Sequence, residues 1–121
     1  MARQNLESQL QKHIVYYLRA ILPQSIVAAI PNGSQRTATG RPANAVPGFT
    51  SGLPDLMVLI PQGRVVFFEV KAPKGRVSDA QLDIHLRMHG LNHEVAIVRS
   101  IDDVKNALEA WNIKTREVTW A

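Results

Sequence analysis

Two short apolar runs, Leu56-Met57-Val58-Leu59-Ile60 and Val65-Val66-Phe67-Phe68, stand four residues apart in the middle of this chain. Each is rich in β-branched or aromatic side chains, so each reads as a strand. The connecting Pro61-Gln62-Gly63-Arg64 contains Gly and has hairpin length. Folding the hairpin sets Asp55, at the mouth of the first run, beside Glu69 and Lys71, which close the second. Side chains alternate along a strand. Val65, Phe67, Glu69 and Lys71 therefore share one face, with Glu69 and Lys71 about 7 Å apart, and Val66, Phe68 and Val70 share the other. Register decides whether Asp55 joins the face of Glu69, because a slip of one residue moves it to the opposite side. Two carboxylates with a lysine beside them suit a divalent cation held against a phosphate. Hard Mg²⁺ or Mn²⁺ takes oxygen ligands, usually one or two carboxylates with waters and substrate phosphates.

A length of 121 residues predicts a single domain over 1–121, with its core about 6–111. No run approaches the roughly 18 apolar residues of a membrane span, and the N-terminus lacks the apolar stretch of a signal peptide. With no cysteine there is neither a disulfide framework nor a thiolate metal site, and a reducing cytoplasm is compatible. The net charge of +4 suits a polyanionic partner, although many basic proteins bind nothing charged.

The N-terminal segment predicts a helix over Leu6–Leu22, with Leu6, Leu10, Ile14, Leu18, Ile21 and Leu22 on one arc. Glu7 falls within that arc and Gln11 beside it. Two readings of Glu7 stand open: a carboxylate that needs a partner in a buried stripe, or a wet residue favouring the helix N-terminus. Ser25–Ile30 reads as the first strand, ended by the turn signal Pro31-Asn32-Gly33. The long segment from Asn32 to Gly52 carries Arg36 and Arg41 and leads into Asp55. It is either a phosphate-tracking loop or a solvated one, with a short helix around Arg41–Val46. Beyond Lys71, Ala72-Pro73-Lys74-Gly75-Arg76 is a basic turn at the rim of the proposed site. Lys74 and Arg76 there are phosphate contacts or solvated charges.

Ser78-Asp79-Ala80-Gln81 has capping-box spacing and opens a helix to about His89, with Gly90 as its stop. Gln81 can be the capping residue and nothing more. His85 and His89 read as packing or helix-end residues, and no spaced His set supports zinc. Glu94–Val98 is the last core strand, parallel to the second run across the intervening helix. Ser100-Ile101-Asp102-Asp103 opens a closing helix with Val104, Leu108 and Trp111 on one face. In the tail, Val118 and Trp120 alternate as in a short added strand. The order predicts an α/β fold, one mixed sheet flanked by helices.

The ordered set Pro54-Asp55, hairpin, Glu69-Val70-Lys71 resembles the PD-(D/E)XK nuclease signature. Glu7 with Gln11, Pro31-Asn32-Gly33, Gly52 to Asp55, and Ser78 with Gln81 extend the resemblance to its virus-type replication-repair branch, the VRR-NUC domain. The likeness runs from about Glu7 to Leu108. It implies a restriction-endonuclease-like αβββαβ core and a Mg²⁺- or Mn²⁺-dependent endodeoxyribonuclease. Asp55, Glu69 and the Val70 carbonyl would be ligands, with Glu7 completing the acidic cluster directly or through water. Lys71 would orient or activate the attacking water, and Gln81 would touch a water or phosphate. Arg36, Arg41, Lys74, Arg76 and Gln11 would face DNA.

Small stand-alone members resemble junction-resolving enzymes, which implies cutting of four-way (Holliday) junctions by a homodimer in a bacterial or phage-infected cell, leaving 5′-phosphate ends. The alternatives are a flap or restriction-type nuclease on the same chemistry, or a non-catalytic nucleic-acid-binding module.

Overall fold

A computed structural model describes residues 3–117. The chain runs α1 (Arg3–Ile21), β1 (Ile26–Ala29), β2 (Leu56–Ile60), β3 (Arg64–Val70), α2 (Asp79–Gly90), β4 (Glu94–Val98) and α3 (Ile101–Ala110). The strands form one sheet in the order β1-β2-β3-β4. β1–β2 and β2–β3 pair antiparallel, and β3–β4 pair parallel across α2. This is the expected mixed sheet of a restriction-endonuclease-like core. The predicted β2 and β4 agree with the observed strands residue for residue, while β3 outruns the apolar run Val65–Phe68, beginning one residue earlier at Arg64 and continuing through Glu69 to Val70.

Alternation along β3 divides the interior in two. Val66, Phe68 and Val70 are buried with Leu56, Val58, Val27 and Val98 against Ile14, Leu18 and Ile21 of α1 and Val104 and Leu108 of α3. On the other face Phe67 packs with Val95 and with Ile84 and Met88 of α2. Glu69 lies on this second face, which α2 covers.

The far end of the sheet is closed by the hairpin, where Gln62 and Gly63 both take positive φ. Arg64 there donates to Glu94 Oε1 at 2.5 Å and to the Trp111 carbonyl at 2.7 Å. No described helix is long and apolar enough to cross a membrane.

Several expectations are corrected. Leu6 is 45% exposed and contributes no buried face in the first turn of α1, and Tyr17 joins the buried face instead. The helix predicted around Arg41–Val46 is only a 3₁₀ turn over Ala43–Ala45. Gly90 does not end α2: it is the last helical residue, and the left-handed position falls to Asn92 (φ 66°). There the Asn92 and His93 N–H groups close back on the His89 and Met88 carbonyls. The proposed tail strand at Val118 and Trp120 lies outside the described residues.

Candidate active site

The β2–β3 register pairs Leu56 with Phe68, which sets Asp55 opposite Glu69, one step further along. Both carboxylates therefore face α2, as a shared cation requires. The Asp55 main chain is anchored from the other side, its carbonyl accepting the Ile30 N–H at 2.8 Å. Its side chain reaches across the hairpin, where Oδ2 accepts the Val70 N–H at 2.7 Å.

Gly52 makes this approach possible. It has φ +90°, and a Cβ there would run into the Ala80 carbonyl at the start of α2. Only glycine satisfies both the backbone conformation and the close contact.

Glu69 is buried at 1% exposure. Gln81 donates to its Oε2 from Nε2 at 3.1 Å. His85 Nε2 lies 3.3 Å from Oε1 but without hydrogen-bond alignment, so both atoms are buried without a hydrogen-bond partner among the described residues. The Glu69 carboxyl is pushed up to about 9, first by burial and then by the hydrogen bond to and charge of Asp55; Lys71 opposes this, and Glu7 adds the smallest push upward. Burial, helped by the His89 charge, lowers the His85 imidazole from its ordinary value, so it is neutral near pH 7.

Lys71 follows β3 directly. Its N–H bonds the Val98 carbonyl at 3.0 Å, which continues the parallel ladder, and its side chain is largely buried. The turn beyond it is held by a residue that sequence reasoning missed. Arg99, just after β4, donates from Nη1 to the carbonyls of Ala72 (2.8 Å), Gly75 (2.8 Å) and Pro73 (3.3 Å). Its own N–H is tied to Asp103 Oδ2 at 2.8 Å. Glu7 packs on the same turn from α1: a Cβ on Gly75 would lie 3.0 Å from Glu7 Oε2.

The structure thus gathers Asp55, Glu69, Val70, Lys71, Gln81 and Glu7 at one end of the sheet. Gln81 is the capping residue, and it also reaches Glu69. Its Oε1 accepts the Ser78 N–H at 2.9 Å and closes the capping box, while Nε2 serves Glu69.

The residues expected to face DNA are distributed differently. Lys74 and Arg76 are exposed on the turn beside Lys71, and Gln11 is half-buried on α1, about one turn beyond Glu7. Arg36 and Arg41 are exposed, but their guanidinium groups brace their own loop through the Gly40 carbonyl at 2.8 Å and the Ala45 carbonyl at 2.6 Å.

Among the described residues no group of three or more His, Asp or Glu forms a ready-made metal cage. A Mg²⁺-type ion does not demand one, because two carboxylates with waters and a phosphate suffice. The fit rests on Glu69: a buried carboxyl oxygen without a hydrogen bond, facing a second carboxylate, needs either a proton or a cation.

The family model for the VRR-NUC domain matches residues 1–101. The protein named "Putative nuclease p44" of Acyrthosiphon pisum secondary endosymbiont phage 1 is 38% identical over 61 residues, covering 50% of this chain and 64% of that protein. The match thus spans just under two thirds of that relative's length. A solved structure named "VRR_NUC domain" superposes with a TM-score of 0.63 at 25% identity, over 88% of this chain and 97% of its own. A second, "VRR_NUC domain protein", shares the fold with a TM-score of 0.53 at 17% identity, over 85% and 84% of the two chains. The carboxylate pair, the lysine after it and the capped helix over them sit in a chain that, on the extent of these matches, belongs to the VRR-NUC domain family.

Proposed function

We propose that the protein is a metal-dependent endonuclease acting on branched DNA, with four-way junctions as its first substrate and a homodimer as its working form. The observation that carries the reading is the cross-hairpin pair Asp55–Glu69 with Lys71 beside it. Asp55, Glu69 and the Val70 carbonyl would hold Mg²⁺ or Mn²⁺, with Glu7 completing the acidic cluster. The bound cation supplies Lewis-acid activation of water and charge neutralisation at the phosphate.

The chain's own groups do the rest. Lys71, held by its backbone bond to Val98, directs its ammonium at the attacking water or a phosphate oxygen. Gln81 fixes the Glu69 carboxyl from α2. Lys74 and Arg76 meet the DNA backbone without reading sequence. A homodimer would present two such sites to the two strands of a junction. The bacterial or phage-infected cytoplasm is the proposed setting, in keeping with the phage relative.

The test is cleavage of labelled four-way junction, flap and duplex DNA with Mg²⁺, with Mn²⁺ and with chelator, by the wild type and Lys71→Ala. Symmetric metal-dependent cuts in the junction, lost in the variant, are expected. Cutting of flap or duplex instead keeps the chemistry and moves the substrate. Tight binding with no cutting under either metal overturns the proposal and leaves a binding module.

A further inference from the structure

A cleft of about 190 Å³ opens beside the carboxylate pair, between the turn after β1, the approach to β2 and the start of α2. Asp55 and Gln81 line it, so its floor is continuous with the proposed cutting centre. Its walls are mixed. Phe49 and Leu53 supply apolar surface, and Asn32 and Ser51 supply polar groups.

Phe49 is the informative residue. It belongs to a long polar loop, yet it is half-buried. It is held in place: its N–H bonds the Val46 carbonyl at 3.0 Å, and a Cβ on Gly33 would press on its ring at 3.2 Å. A side chain at position 33 would displace that ring, which gives the glycine of Pro31-Asn32-Gly33 a role apart from turn formation. Asn32 is equally fixed, its Oδ1 accepting from the Ser34 and Gln35 N–H groups at 3.0 and 3.2 Å and from the Ser34 hydroxyl at 2.7 Å. Its amide nitrogen is left to donate elsewhere.

A braced aromatic ring, a leucine in the same cleft, a fixed amide and hydroxyl groups form the composition that receives a nucleobase: π-surface for stacking and a few hydrogen-bonding groups. We infer that the cleft is a base-binding subsite, which takes one unpaired nucleotide of the substrate strand next to the scissile phosphate. This rests on the nuclease reading above and sharpens its substrate class. A base can enter only if it leaves its stack and its partner. At a branch point or in a single strand much of that cost is already met, while in continuous duplex it is not. The cleft would thereby select branched or single-stranded DNA over duplex without reading sequence.

The experiment places a single abasic residue at each of the two positions on either side of the cut, and scores the cutting rate of the wild type against the unmodified strand. One position should slow cutting by about tenfold, the loss expected of one stacked base. Phe49→Ala should be slow on the intact strand by a similar factor and insensitive to that abasic site. Phe49→Leu, which keeps bulk without the π-face, guards against a folding defect and should behave alike. Equal rates at all four positions in an actively cutting wild type overturn the subsite and leave the nuclease reading intact.

If the wild type cuts nothing, the nuclease reading has failed on its own, and a binding arm decides the subsite. A single strand carrying 2-aminopurine should change its fluorescence on binding wild type, and not on binding Phe49→Ala. The same response in both proteins overturns the subsite.

Discussion

Asp55 Oδ2 and the Val70 N–H meet at 2.7 Å across the β2–β3 hairpin, so one carboxylate both faces the site and closes the ladder at that end. These two duties can be separated. Asp55→Asn keeps an oxygen for the Val70 N–H and removes the charge. It is expected to melt close to the wild type while cutting falls by at least about a hundredfold, the scale of losing a group that stabilises developing charge. Asp55→Ala also leaves a buried N–H unpaired, at about 1–3 kcal/mol. Denaturant unfolding of the two variants beside the wild type checks both halves.

Without a cation, Glu69 makes stability depend on pH. Its carboxyl titrates near 9 in the folded chain against 4.5 ordinarily, so between these values the folded state holds one proton more than the unfolded state. Stability from this group is fully present below about 4.5 and is lost as pH rises toward 9. Thermal melts in chelator should fall across that window, and Glu69→Gln should flatten the dependence. Mg²⁺ should restore the wild type at high pH and release a proton on binding near pH 7, as calorimetry in buffers of different ionisation enthalpy would measure. A wild-type profile unchanged by Glu69→Gln would count against a protonated Glu69.

Gln81 offers a finer separation. Gln81→Glu preserves an oxygen for the Ser78 N–H, so α2 should keep its cap and its stability to within about 1 kcal/mol. It also replaces the donor to Glu69 with a further carboxylate beside Asp55, Glu69 and Glu7. Weakened cutting with little change in melting is the expected pattern. Loss of melting temperature alone would restrict Gln81 to capping.

Arg99 should act at a distance through the turn it ties. Arg99→Gln loses most of the three carbonyl bonds, and a cost of about 2 kcal/mol is expected from charged hydrogen bonds of this kind. The released turn carries Lys74 and Arg76 and packs on Glu7. DNA affinity should therefore fall more in Arg99→Gln than in an equally destabilised core variant such as Val58→Ala, as titration at matched stability would reveal.

Gly52→Ala forces a Cβ into the Ala80 carbonyl at a positive φ. A loss above about 2 kcal/mol is expected from strain of this type, together with loss of cutting, because the displaced segment carries Asp55. Gly40→Ala has positive φ but open space around it and should cost less. Chemical denaturation of the pair tests whether the contact or the dihedral dominates.

What the sequence disclosed was the part governed by short range. The hairpin from Asp55 to Lys71, the Ser78 cap and β4 follow from alternation, turn residues and capping spacing within a few positions of each other. The family motifs name Glu7, Asp55, Glu69, Lys71 and Gln81, which the fold brings to one end of the sheet. Arg99 escaped because its partners lie 24 to 27 residues away and are carbonyls, which no side-chain pattern marks. His85 read as a packing residue, which its burial bears out, but its place beside Glu69 depends on how α2 crosses the sheet. Phe49 gave no periodic signal at all, since its loop has no period. Gly90 has the residue type of a helix stop, whereas Asn92 takes the left-handed turn two residues later.

The parallel pairing of β3 with β4 carries a consequence for biogenesis. The β2–β3 hairpin can close locally, on the microsecond scale, but β4 must wait until α2 has formed and swung back. In that interval Val66, Phe68 and Val70 belong to an open strand edge, which can recruit the same edge of another nascent chain. Slower synthesis at low temperature should therefore raise the soluble yield. Substitutions that strengthen α2, such as Gly90→Ala, where a Cβ meets nothing, would shorten the exposed interval without touching the Asp55–Glu69 end of the sheet.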